Sequence, residues 1–294
     1  MESRVLEWRD WLSVKHAETT IAGYVWEVLR LARHFEQRAI EELTTADLLS
    51  YLAARRAGGC GNAAIRHAVN ALRSFYAFAC PGASPAASLP VPSGKPAKQP
   101  RTLTGAQALA VLSSCDTSSP VGARDLALLS VMLDSGLRAA EICRLRLDAL
   151  DLSGRVLRVI VKGGQEQFGV FGLETANYVS AWLGWRATIA RPDVATVFVG
   201  VGGLHPGRGL TTDGLRCIFR RIGRSAGLPA FSPHDLRRTG ATLASLLGAP
   251  TRLVQVWGRW DDVRMVERYT AAIKAQDFAP YFPVSNVLNL KPDG

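Results

Sequence analysis

Lysine is scarce in this sequence, with 6 Lys against 29 Arg in 294 residues. Acidic residues are also in deficit, 25 against 35 basic ones, which leaves a formal charge of +10. A cation excess carried almost entirely by arginine suits a phosphate-rich partner, because the planar guanidinium fork matches phosphate oxygens in a way that a lysine point charge does not. Nucleic acid is the leading partner class, with a merely solvated basic surface as the alternative. Cysteine is sparse too: Cys60, Cys80, Cys115, Cys143 and Cys217 are odd in number, and none falls in a Cys-x-x-Cys pair. This spacing excludes a disulfide framework or an ordinary zinc site and predicts reduced thiols in a cytoplasmic protein. No run of about 18 apolar residues occurs, so no membrane helix is expected. Glu2, Arg4, Glu7, Arg9 and Asp10 stand where a signal peptide needs an apolar core. With no His-x-x-x-His pair and no carboxylate cluster to offer ligands, the chemistry is expected to need neither metal nor cofactor.

What is present supports two modest domains, since 48% of the residues are hydrophobic. Helical periodicity dominates the first 80 residues. Leu6, Trp8, Trp11 and Leu12 begin one amphipathic segment, and a second, capped by Thr19 or Thr20, carries Tyr24, Val28, Leu29, Leu31 and Phe35. A third, capped by Thr45, carries Leu48, Leu49 and Leu52 and ends at Gly58-Gly59; a fourth, 62–80, carries Ile65, Val69, Leu72, Phe75, Tyr76 and Phe78. Four such helices with short connections suggest a small bundle. Pro81, Pro85, Pro90, Pro92, Pro96 and Pro100 then bar helix and central strand, so the stretch reads as an extended linker.

Beyond it, Thr104 caps a helix through Leu112, and further helices fall at 123–135, 139–145, 173–188 and 212–223. A strand at 155–161, a Gly163-Gly164 turn and a returning run at 168–171 predict a hairpin. The expected fold is mainly α with a small antiparallel β-sheet: a helical bundle over 1–88, a linker over 89–101 and an α/β domain over 102–294. Charge divides unevenly, with 10 basic and 9 acidic residues in 1–93 and 25 and 16 in 94–294. The second part therefore carries nearly all of the positive excess.

The reactive side chains concentrate in 234–269. His234-Asp235-Leu236-Arg237-Arg238-Thr239 opens a segment whose Leu236, Leu243, Leu246 and Leu247 predict a helix, and the three-residue step puts His234 and Arg237 on one face. Trp257-Gly258-Arg259-Trp260 follows, and Glu267-Arg268-Tyr269 closes the stretch. An exposed Tyr269 offers a hydroxyl nucleophile, and Trp260, nine residues earlier, an indole N–H donor. Such a set suits attack on a phosphodiester.

His-x-x-Arg, Gly-x-Trp and a Tyr nine residues after the Trp resemble the C-terminal signature of the tyrosine recombinases, the phage-integrase and Xer-like family. Ser135-Gly136-Leu137-Arg138-Ala139-Ala140-Glu141-Ile142 resembles that family's first arginine box, and Val161-Lys162-Gly163-Gly164 its lysine-bearing hairpin. Arg138 precedes Lys162 by 24 residues and His234 precedes Tyr269 by 35. The resemblance spans the chain in domain order, with the specific motifs inside 135–269. It implies a SAM-like DNA-binding domain followed by a catalytic domain that exchanges DNA strands at specific sites. Tyr269 would be the nucleophile of a 3′-phosphotyrosine intermediate. Arg138 and Arg237 would clamp the non-bridging phosphate oxygens, His234 would move a proton or bond the phosphate, and Lys162 would protonate the 5′ leaving oxygen. Trp260 stands where many members have His; it donates a hydrogen bond but carries no proton. Arg238 is assigned to structure or to the DNA backbone. Gln165 and Gln167 depart from the family pattern, occupying places where basic residues are frequent. The implied partners are double-stranded DNA with recombination sites, further copies of the chain in a tetramer, and either a second recombinase or an accessory factor.

Each residue also has a plain structural reading. Arg138 could simply pair with Glu141, His234 cap a helix, Lys162 sit in a solvated turn and Trp260 fill a core. Arg66, Asn70 and Arg73 fall at i, i+4 and i+7, opposite Ile65, Val69, Leu72 and Phe75, as either a DNA-binding stripe or a solvated face. Three other activities stay open: a type IB topoisomerase with the same tyrosine chemistry, a catalytically silent DNA-binding protein of this fold, and, more remotely, a metal-dependent nuclease.

Overall fold

A computed structural model describes residues 2–93, 101–160, 164–203 and 205–270. The chain divides into two compact units, Met1–Ala97 and Lys98–Gly294. As expected from the sequence, the fold is mainly helical with one small antiparallel sheet.

The first unit is built on α1 (Glu2–Ser13), α2 (Glu18–His34), α3 (Thr45–Ala57) and α4 (Asn62–Ala79). Their apolar faces close over Trp8, Leu12, Val28, Leu31, Leu48, Leu72 and Phe75, with Trp8 edge-on to Phe75 at 5.2 Å. Two caps differ from the sequence expectation. Helix α2 starts behind Ala17 with no side-chain cap, and Glu18 in its first turn complements the helix dipole instead. Helix α3 is capped by Thr44, one residue before the expected Thr45, because only Thr44 has an acid three residues on. The Thr44 hydroxyl accepts from the Asp47 N–H at 3.3 Å while Asp47 accepts from the Thr44 N–H at 2.8 Å.

Thr45 instead donates to the Pro85 carbonyl at 2.8 Å, the first of several ties on the proline-rich segment. Ala86 and Leu89 are buried in the bundle core. Arg73 donates to the Leu89 carbonyl at 2.7 Å, Arg66 to that of Pro92 at 3.0 Å and Asn62 to that of Ser93 at 3.1 Å. Proline removes the N–H groups that would build a strand, but its neighbours' carbonyls still need donors, and the polar side of α4 supplies them. The segment that reads as a spacer from Pro81 onward is thus fastened to α4 as far as Ser93.

The second unit is organised around α6 (Pro120–Ser135), in which 12 of 16 residues are buried. A helix buried around most of its circumference belongs in a core, with its buried Arg124 and Asp125 paired, and α6 is wrapped accordingly. It packs against α5 (Gly105–Ser113), α8 (Leu173–Ile189), α10 (Pro233–Leu246) and the sheet, while α9 (Thr212–Ser225) pairs its Arg221 with the buried Asp125 of α6. A short α7 (Ala139–Arg144) follows α6, and α11 (Thr251–Gly258) and α12 (Arg264–Thr270) follow α10. The sheet has the order β1 (Leu150–Asp151), β2 (Val156–Ile160), β3 (Glu166–Val170), all antiparallel. Leu157 and Val159 point inward, and Leu157 faces Gly169, where a β-carbon would stand 2.7 Å from the leucine methyl. That glycine lets the hairpin lie against the end of α6. Among the described residues, no helix is long and apolar enough to cross a membrane.

Candidate active site

The His-x-x-Arg motif lies at the start of α10, where Ser232 and Asp235 form a capping box and Pro233 occupies the first helical turn. This entry fixes the first turn tightly. His234 is exposed there, whereas Arg237, one turn on, is only 1% exposed. The three-residue step brings them to the same end of the helix at different depths. Arg238 is half-buried and pairs with Asp235 at 3.3 Å.

Arg237 joins three of the sequence motifs. One of its terminal nitrogens donates to the Gly136 carbonyl in the first arginine box, and the other to the Gly258 carbonyl in Gly-x-Trp. Its guanidinium carbon also stands 4.9 Å from the centre of the Trp260 ring, within cation–π range. Both glycines are demanded by this packing. Gly136 caps α6 at φ 58°, and a β-carbon there would lie 2.8 Å from the Trp257 indole; a β-carbon on Gly258 would collide with the Trp260 ring. Trp260 is buried with Ala241, Val254 and Val266, so it is a core aromatic and a neighbour of Arg237 at once.

Arg138 caps α7 and stays 46% exposed in its side chain. Glu141 accepts from its backbone N–H at 2.8 Å and from its guanidinium at 2.6 Å, so the plain ion pair is present. Within the pair the arginine faces solvent and the carboxylate is nearly buried. Burial works to raise the Glu141 carboxyl, but hydrogen bonds from Arg138 and the charges of Arg259 and Arg138 outweigh it and hold Glu141 below the ordinary glutamate range.

Arg259 is the residue that sequence reasoning missed. It terminates α11 in the left-handed conformation, φ 50° and ψ 51°, and buries its guanidinium to 4% exposure against Glu141 at 3.2 Å. A non-glycine residue there costs about 1–2 kcal/mol. Its visible signal was only an arginine between Gly258 and Trp260. Trp257 was likewise passed over; it donates to the Asp134 carbonyl and walls the Gly136 turn.

Solvent loss around the His234 imidazole, reinforced by the Arg238 and Arg237 charges, lowers its pKa from the ordinary 6.5. The shift favours the neutral imidazole, the form able to accept a proton. The backbone of Tyr269 belongs to α12, which packs on α10 through the fully buried Val266. The Tyr269 side chain lies outside the described residues, as does Lys162, whose position is bracketed by β2 and β3. Among the described residues, no group of three or more His, Cys, Asp or Glu is placed to hold a metal ion.

Comparison with known proteins places this arrangement. Residues 101–276 match the phage integrase family and residues 7–81 the phage integrase N-terminal SAM-like domain. Tyrosine recombinase XerC of Mycobacterium leprae (strain TN) is 29% identical over 252 residues, which cover 81% of this chain and 83% of that protein. The fold is similar to that of XerH site-specific recombinase in a post-cleavage complex with palindromic difH substrate, at TM-score 0.71 and 19% identity over 90% of this chain and 80% of the other. It is also similar to a lambda integrase tetramer bound to a Holliday junction, at TM-score 0.69 and 15% identity over 91% of this chain and 76% of the other. The family match takes in more than half of the chain, including every motif from Arg138 to Tyr269, and this protein belongs to the phage integrase family of tyrosine recombinases.

Proposed function

We propose that this protein is a site-specific DNA recombinase whose Tyr269 cuts and rejoins DNA. The observation that carries the reading is the placement of Arg237, which ties the arginine box, the His-x-x-Arg helix and the Gly-x-Trp turn into one cationic site. In the proposed reaction the Tyr269 hydroxyl oxygen bonds to phosphorus and the bond from phosphorus to the 5′ oxygen breaks. Neutral His234 takes the phenol proton, and Lys162 gives a proton to the leaving 5′ oxygen. Arg138 and Arg237 hold the non-bridging oxygens and stabilise the charge that builds in the pentacoordinate transition state. A 5′-hydroxyl of the partner duplex then attacks the phosphotyrosine and restores a phosphodiester. The covalent bond conserves the energy of the broken one, so no nucleotide cofactor is consumed.

Exchange between two duplexes requires four tyrosines, which a tetramer on a Holliday junction supplies, with some of its places open to a second recombinase. The lambda integrase assembly supports this stoichiometry. The protein would act in the cytoplasm, on the DNA it recombines. In the first unit, Arg66, Asn70 and Arg73 are the proposed DNA contacts; Arg66 and Arg73 also hold the 89–92 segment, and DNA would take up other donors of the same guanidiniums.

The flanking DNA of the gene supplies candidate sites. A plasmid with two such sites is expected to be deleted or inverted by the purified protein in EDTA. Relaxation of supercoils without any recombinant product would instead favour the topoisomerase reading, and inhibition by EDTA would favour a metal-dependent nuclease.

The His234 shift gives a pH dependence. Its folded pKa lies below the ordinary 6.5, so the acid limb of covalent adduct formation is expected to be centred below pH 6.5. Because the unfolded chain binds that proton more readily, acidification below 6.5 also erodes stability. Single-turnover cleavage across pH 5 to 8 checks the first point. An acid limb centred above 6.5 would show that His234 is not the proton acceptor.

A further inference from the structure

Arg259 bears two burdens that glycine would not: a left-handed backbone and a buried positive charge. Among the described residues only Arg155 and Arg259 combine a side chain with positive φ. The contacts of the buried guanidinium show what it does. One terminal nitrogen donates to the Ser135 carbonyl at 3.1 Å and to that of Trp257 at 3.3 Å. The other donates to the Gly136 carbonyl at 3.0 Å and to a Glu141 carboxylate oxygen at 3.2 Å. The same oxygen accepts from the Arg138 backbone N–H, and the other Glu141 oxygen accepts from the Arg138 guanidinium. Arg138 in turn donates to the Arg259 carbonyl at 3.4 Å.

One carboxylate therefore serves two cations. With Arg138 alone, Glu141 would be a private counterion, and their summed charge would be zero. A phosphate approaching the exposed guanidinium would then have to compete with a full ionic partner. With Arg259 beneath, part of the pull of the carboxylate is directed inward and the trio retains one positive charge. The backbone bonds also pin the turn at residues 135–136 from which Arg138 emerges.

We propose that Arg259 is a positioning residue for DNA cleavage, a buried second cation that holds Glu141 and so leaves Arg138 available to the scissile phosphate. It is buried behind the residues that would meet DNA and acts through Glu141. The inference rests on the assignment of Arg138 to the phosphate clamp.

A double-mutant cycle tests it. The full-length parent, Arg259→Gly, Glu141→Gln and the double variant would be compared by the rate of covalent adduct formation at saturating DNA, on a duplex carrying the cleavage site mapped with the parent. Glycine is the residue best suited to the left-handed backbone, and glutamine preserves the capping-box geometry. Arg259→Gly is expected to slow cleavage roughly tenfold, the scale of one charge-assisted hydrogen bond, with DNA affinity little changed. In the Glu141→Gln background, where there is no carboxylate charge to share, the same change is expected to slow cleavage clearly less than in the parent, leaving only the cost of the lost backbone bonds at 135–136. Arg259→Lys, which restores the cation, is expected to recover part of the loss. Equal losses in both backgrounds would mark a structural role only, and a parental rate for Arg259→Gly would remove any role; either result overturns the proposal. Arg138→Ala serves as the control for the underlying reading: if it cleaves at the parental rate, or if the parent forms no adduct, both readings fall together.

Discussion

Tyr269→Phe is expected to eliminate the covalent protein–DNA adduct while DNA binding stays near that of the parent. Only a hydroxyl is removed and phenylalanine preserves the ring, while the buried Val266 helps to seat α12 on α10. An unperturbed phenol has a pKa near ~10, so the reaction depends on a base and on cationic surroundings to make the oxygen nucleophilic. With no oxygen there, neither contribution has anything to act on, and the loss should be complete within detection. Adduct formation read on denaturing gels after protease treatment, beside a binding isotherm for the same duplex, separates the two effects. A protease-sensitive adduct persisting in the variant would assign the nucleophile elsewhere.

Much of this architecture was legible in the sequence because it rests on local rules. The fourth helix of the bundle, the capping of α5 by Thr104 and the antiparallel pairing of β2 with β3 follow from periodicity and turn chemistry, which act over a few residues. The choice between Thr44 and Thr45 was legible in principle, since only Thr44 has Asp47 at the third position. Other features depended on distant neighbours. From Pro81 to Ser93 the prolines exclude helix and central strand as expected, and 94–100 lie outside the described residues, but backbone chemistry alone does not reveal that Arg73 and Arg66 donate to the Leu89 and Pro92 carbonyls. Burial separates His234 from Arg237 because the latter finds acceptors 101 and 21 residues away in sequence. Arg259 was hidden for a related reason. A glycine beside a helix end invites assignment as the left-handed cap, yet Gly258 is required by the Trp260 ring above it and the left-handed position falls on the next residue.

Arg237→Lys should lower the cleavage rate by about 10²- to 10³-fold, the range for losing one preorganised donor group at a developing oxyanion. Lysine keeps the charge but not the planar fork, and one ammonium cannot reproduce the two divergent bonds to Gly136 and Gly258. Arg237→Ala should lose at least as much activity and destabilise the second unit as well. The Gly136 carbonyl keeps its bond from Arg259, so the main structural cost falls on Gly258, at about 1–3 kcal/mol for a buried acceptor left without its donor. That corresponds to a fall in Tm of roughly 2–4 °C for each kcal/mol in a unit of this size. Loss of the contact with the Trp260 face adds to it. Single-turnover rates measured well below the Tm of both variants keep the two consequences apart. The lysine variant should be slow while folded, and the alanine variant slow and less stable. A lysine variant that cleaves at the parental rate would confine Arg237 to holding the turns together and leave Arg138 as the sole phosphate clamp.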